Sequence, residues 1–118
     1  LSGNDSQFLL SEEKFRVELK TFTTNVKELI AQAKKYTPQI IMVGITKVDE
    51  AKINKIYKNE TIKKYDDVLR QAAQKKNLHF IPVFNEITVA DLDDGLHPSS
   101  QGHQKMFLKI KGYIDELV

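Results

Sequence analysis

From Ser11 to about Tyr36 the apolar residues Phe15, Leu19, Phe22, Val26, Leu29, Ile30 and Ala33 recur at intervals of three and four. That period predicts an amphipathic helix. Ser11 with Glu12 and Glu13 offers an N-cap and first-turn acids, and Thr37-Pro38 stops the run. "IIMVGI", Ile40 to Ile45, follows as a short apolar run rich in β-branched residues, the pattern of a strand covered on both faces. Helical spacing returns over 60–76, with Ile62, Tyr65, Val68, Leu69 and Ala72 on one face. "LHFIPVF", Leu78 to Phe84, predicts a second strand, placed at a sheet edge because Pro82 has no N–H to give a ladder. Met106, Phe107, Ile110, Tyr113, Ile114 and Leu117 predict a last helix, capped by Ser99 or Ser100.

The order helix, strand, helix, strand, helix predicts an α/β fold with parallel strands. Two strands make a poor sheet, and alternating α/β domains begin with a strand. The expectation is therefore that strands are missing upstream of Leu1, or that the chain borrows neighbours from a second copy. At 118 residues the chain is one domain at most. A net charge of +2 is too mild to argue for nucleic acid. No apolar run reaches the ~20 residues of a membrane span, and without cysteine no disulfide can form.

In open α/β sheets, sites form beyond the carboxyl ends of the strands. "TKVDE" follows the first predicted strand and the segment Asp94–His97 follows the second, while Asn4-Asp5 would follow a strand ending near residue 1. Three polar segments thus converge on one edge. An Asp three residues before a His suits a local turn in which the carboxylate accepts from ring Nδ1, leaving Nε2 free as a base. Pro98 stiffens the exit.

"DGLHPSSQGH", Asp94 to His103, resembles the last block of the GDSL, or SGNH, hydrolases. "SGND" at 2–5 is similar to that family's Gly-x-Asn-Asp block, and "NETIKKYDDVLRQAAQKKNLHFIPV" resembles the helix and final strand between the two. The resemblance covers essentially the whole chain, 1–118, as the C-terminal part of one domain. It implies a three-layer α/β/α flavodoxin-like fold with a parallel sheet whose N-terminal strands lie outside this chain. It also implies hydrolysis of a small ester by a Ser-His-Asp triad, with no cofactor or metal needed. His97 matches the general base, Asp94 the acid that orients it, Asn4 the side-chain donor of the oxyanion hole and Asp5 its structural neighbour. Ser2 stands where the block has Gly, which is tolerable if the backbone there is not at positive φ.

The block that carries the nucleophile has no counterpart here. Ser6, Ser11, Ser99 and Ser100 lack its strand-to-turn setting, so the nucleophile is expected in a missing N-terminal segment of the same protein, on the order of 60–90 residues by ordinary element lengths. Taken alone, Asn4 reads as a turn former, His103 as structural, His79 as a spectator, Asp49 and Glu50 as a solvated loop, and the lysines from Lys52 to Lys76 as a solvated face. One rival is a non-catalytic flavodoxin-like binding domain, which would need a Gly-rich phosphate loop or an acidic phospho-acceptor pocket, and neither motif is present. The other is an esterase remnant that binds a partner through its basic helix.

Overall fold

The computed structural model describes residues 2–53 and 56–118. Helix α1 (Ser2–Asp5) leads into a small hairpin, β1 (Phe8–Leu9) and β2 (Lys14–Phe15), and then helix α2 (Leu19–Lys34). Strand β3 (Ile41–Val43), short helix α3 (Glu50–Ile53), helix α4 (Asn59–Lys75), strand β4 (His79–Ile81), a 3-10 turn over Val89–Asp91 and helix α5 (Ser100–Leu117) complete the chain. Strands β3 and β4 pair in parallel with Ile41 opposite His79 and Val43 opposite Ile81. Gly44 N–H donating to Ile81 O at 2.9 Å carries the ladder one step further.

The pleat sorts the layers. Met42 and its partner Phe80 point to one face, where they pack on a core of Phe22, Val26 and Ile30 from α2 and Ile62, Tyr65 and Leu69 from α4. His79 points to the other face, where its ring meets Tyr113 of α5 edge-on at 5.9 Å. Helices therefore cover both faces of the parallel pair, which is the α/β/α layering. Cover on the α5 side reaches β4 but not β3: Ile41 and Val43 are 37% and 38% exposed, whereas Ile81 is fully buried.

The long helix starts later than its periodicity predicts. Leu19 is its first residue and Glu18 its cap, while Ser11 lies in the hairpin turn, followed by Glu13 at φ 52°. The reason is tertiary: Phe15 is taken up by the hairpin, its ring 5.2 Å from Phe8 and 6.3 Å from Tyr65. Tyr65, whose hydroxyl donates to Val17 O at 2.6 Å, pins α4 to the entry of α2. Burial, helped by the nearby Glu18 and Asp5 carboxylates, pushes that phenol up to about 12, so it stays a donor. The second strand is likewise shorter than predicted. It stops at Ile81 because Pro82 cannot donate, and both strands of this pair are edges.

Asp66 ties the layers together. Its Oδ1 accepts the Ile45 amide at 2.8 Å, just beyond the end of β3. Gly44 makes this approach possible, since a Cβ there would sit 2.6 Å from that oxygen and 3.0 Å from Phe80 Cζ. Burial raises the Asp66 carboxyl above its ordinary value, against the amide of Ile45 and the charge of Arg70.

Two outcomes follow for stability. Asp66→Ala leaves a buried N–H unpaired and should cost about 1–3 kcal/mol in chemical denaturation. In the native protein a raised carboxyl binds a proton that the unfolded chain has already released, so stability falls as pH rises through the upper carboxylate range. Asp66→Asn removes that dependence, and its stability relative to wild type should climb across the same window. A flat difference would mean that Asp66 carries no burial penalty.

Candidate active site

The segment after β4 is tied down by hydrogen bonds to a buried carboxylate. Asp91, buried to 4% exposure, accepts from Thr88 N at 2.8 Å, from Thr88 Oγ1 at 3.2 Å and from Lys105 Nζ at 2.7 Å. The Lys105 hydrogen bond, then that of the Thr88 amide, holds its carboxyl below the ordinary range. Its carbonyl receives Ser99 N at 2.6 Å. Above this clamp Leu92 and Pro98 form an antiparallel bridge, and Asp93 N donates to His97 O at 2.9 Å. The five residues between are closed into a tight loop.

Within the loop one carboxylate gathers the donors. Asp94 Oδ1 accepts Leu96 N at 2.9 Å and His97 N at 2.7 Å, and Oδ2 faces His97 Nδ1 at 2.7 Å. The amide of His97, its ring and the amide of Leu96 hold Asp94 well below the usual carboxylate range. An acceptor kept ionised needs a donor opposite it, so the proton sits on Nδ1 and the lone pair on Nε2. The His97 side chain is 71% exposed, and Nε2 has no hydrogen-bond partner among the described residues. An acceptor nitrogen is thus open to an incoming group.

Gly95 anchors this loop to the one after β3. It lies at φ +85°, and an added Cβ would come within 2.9 Å of Lys52 Cβ. Its carbonyl receives Asp49 N at 2.8 Å. The post-β3 loop is in turn held by Asn59, which donates to Val48 O at 3.0 Å and accepts Val48 N at 2.8 Å. Asp49 Oδ1 accepts Ala51 N, a local cap rather than a ligand position.

Asn4 lies in α1, on helical backbone rather than in a loop after a strand. Ser2 opens that same helix, so its place in the block needs no glycine; its side chain lies outside the described residues. Gly3 packs toward Ile45, at the carboxyl end of β3, and Asn4 Oδ1 accepts from Tyr57 Oη at 3.3 Å. Tyr57 is 4% exposed, and burial raises its phenol. With Oδ1 held by a hydroxyl that stays protonated, the Asn4 amide nitrogen has no hydrogen-bond partner among the described residues. Asn4 and the Asp94–His97 pair thus both border the loop that follows β3, without touching each other.

The remaining candidates take structural places. Ser6 is buried and its hydroxyl donates to Gly3 O at 2.7 Å. Ser99 caps α5 by accepting Gly102 N at 3.2 Å. The side chain of His103 is exposed, and its amide bonds Ser99 O. His79 Nδ1 lies 3.3 Å from Tyr113 Oη. Sequence reasoning did not single out Asp91, Asn59, Tyr57 or Asp66. Of these only Asp91 had a readable cue, the Thr-x-x-Asp capping box of Thr88 and Asp91.

The family model described as GDSL-like lipase/acylhydrolase matches residues 1–105. No curated protein matches the chain. Among solved structures, a lipase/acylhydrolase from Enterococcus faecalis superposes with a TM-score of 0.80 at 20% identity, over 96% of this chain and 57% of its own. A GDSL-like lipase from Bacteroides thetaiotaomicron gives 0.72 at 17% identity, over 92% and 58%. An acetyl-xylooligosaccharide esterase from Geobacillus, in a mutant form, gives 0.66 at 20% identity, over 86% and 48%. The chain spans about half the length of these structures, and at such identities the likeness is one of fold.

The loop geometry makes a sharp prediction. A carboxyl held low by three donors contributes its full stability above the ordinary aspartate range and loses it progressively as pH falls from there to its depressed value. Carbon-detected NMR should find the Asp94 carboxyl still ionised where ordinary aspartates are half protonated. In Asp94→Ala the Leu96 and His97 amides should lose their exchange protection. An Asp94 titrating at the ordinary position would contradict the described contacts.

Proposed function

The chain belongs to the GDSL-like lipase/acylhydrolase family, and on that premise we propose that it supplies His97, Asp94 and Asn4 to the active site of a serine carboxylic-ester hydrolase. The observation that carries the reading is the ionised Asp94 carboxylate held on two nitrogens of His97, the backbone amide and ring Nδ1, with Nε2 left open. The nucleophilic serine is assigned to a segment outside these 118 residues, from the same polypeptide or from a second copy. Ser6 is buried and Ser99 is engaged as a cap, and no described serine hydrogen-bonds His97.

In this reaction the serine Oγ forms a bond to the acyl carbon as His97 Nε2 takes its proton. Asp94 stabilises the imidazolium through Nδ1–H. The carbonyl oxygen becomes an oxyanion, which the Asn4 side-chain amide meets as a hydrogen-bond donor. The tetrahedral intermediate expels the alcohol, protonated by His97, and leaves an acyl-serine. Water, deprotonated by the same Nε2, then releases the acid and restores the serine. No step requires a metal or an organic cofactor.

Assays on a short chromogenic ester test this in the whole protein. His97→Ala should abolish turnover with little change in thermal stability. Asn4→Ala should lower kcat by about 10²–10³, and Asp94→Asn should be at least as severe because it favours the wrong imidazole tautomer. Tyr57→Phe, which only unpins the Asn4 amide, should cost about three- to tenfold. Full activity in two of the first three variants would refute the mechanism. The 118 residues by themselves should show no turnover, and robust hydrolysis blocked by a serine-directed phosphonate would place the nucleophile among Ser2, Ser6, Ser11, Ser99 and Ser100.

A further inference from the structure

On the outer surface of the helical layer, away from the site, α2 and α4 leave a groove between them. Its deeper part, about 510 Å³, is floored by Ile30, Ala31 and Ala72 and lined by Lys27 and Lys34 from α2 and Lys75 and Lys76 from the end of α4. A shallower part of about 110 Å³ continues it past Thr23, Val68 and Gln71. Lys20, Lys27 and Lys34 are seven residues apart, so they share one face of α2 over about 21 Å. None of these five lysines has an ion-pair partner among the described residues.

We propose that this groove docks an amphipathic helix with acidic flanks on a partner protein. Both banks carry cations, so a complementary occupant has an apolar ridge between two rows of carboxylates. The floor fits a ridge: Ala31 and Ala72 are small enough to let a backbone come close, and Ile30 at 3% exposure lies at its base. An acidic membrane surface fits less well, because membrane-bound faces project apolar anchors. Leu29 of α2 and Tyr36, in the turn just after it, are large exposed apolar residues, but neither lines the groove. Docking here would leave the active-site loops open, since Lys75 and Lys76 lie where the chain enters β4, whereas those loops leave the carboxyl ends of β3 and β4.

The test is fluorescence anisotropy with a labelled synthetic helix of about four turns, bearing leucines at i and i+4 flanked by glutamates. A control peptide has the same composition with the leucines scattered. The probe should bind, weaken as salt is raised, and bind at least about tenfold more tightly than the scrambled control. Lys27→Glu with Lys75→Glu should lose at least about tenfold in affinity, as should the milder Lys27→Gln with Lys75→Gln, measured beside circular dichroism to confirm folding. Lys109→Glu, which alters a lysine paired with Glu86 on α5, should change little. Equal binding of the two peptides, or indifference to the groove variants, overturns the proposal. So does flotation with phosphatidylglycerol vesicles that depends on the same lysines while the peptide fails to bind.

Discussion

A single hydrogen bond, Asp66 Oδ1 to the amide of Ile45, sets where the carboxyl edge of the sheet can be. It fastens α4 to the backbone at the point where β3 ends and the site loops begin. Gly44 yields the space, and Phe80 of the neighbouring strand closes it from the side. Buried acceptors of this kind are costly to leave unmatched and strong when matched. The carboxyl's raised proton affinity is the mark of that position. From Ile45 the chain passes through Val48, gripped at both its N–H and C=O by Asn59, to Asp49, which holds Gly95. The placement of His97 thus traces back through short polar links to a helix packed in the core.

The two segments that carry the candidate residues are organised in the same way. Asp94 is exposed yet fully occupied, with one oxygen on two amides and the other on an imidazole. Such an arrangement orders the loop and fixes the tautomer at once. Asn4 is exposed as well, and Tyr57 orients it from beneath by engaging its acceptor and sparing its donor. In both cases a supporting group fixes an exposed side chain with no need for burial. Ile41 and Val43 leave one face of β3 partly bare.

Much of this was legible in the chain itself. Helical spacing located α2, α4 and α5, the apolar runs Ile40–Ile45 and Leu78–Phe84 located the two strands of the parallel pair, and the Asp-x-x-His spacing anticipated the ring contact, because each shows as a pattern a few residues long. The β1–β2 hairpin was not anticipated. The start of α2 was not legible, because Phe15 fits the helical stripe yet is claimed by Phe8 and Tyr65. Asn4 was expected beyond a strand and lies in a helical turn, a choice made by the packing of Gly3 toward Ile45. Tyr57, Asn59, Asp66 and Gly44 act across 11 to 53 positions of sequence or through close approach. No local pattern carries that information.

The most direct test of the central claim is a crystal structure of the whole protein reacted with a serine-directed alkyl phosphonate. The tetrahedral phosphorus stands in for the acyl carbon in its transition state, and its free oxygen for the oxyanion. The account predicts an adducted serine within hydrogen-bond reach of His97 Nε2, with Nδ1 still on Asp94. It also predicts the Asn4 amide nitrogen about 2.7–3.1 Å from the phosphonyl oxygen. An adduct served by a different histidine, or an Asn4 side chain turned away from that oxygen, would contradict it.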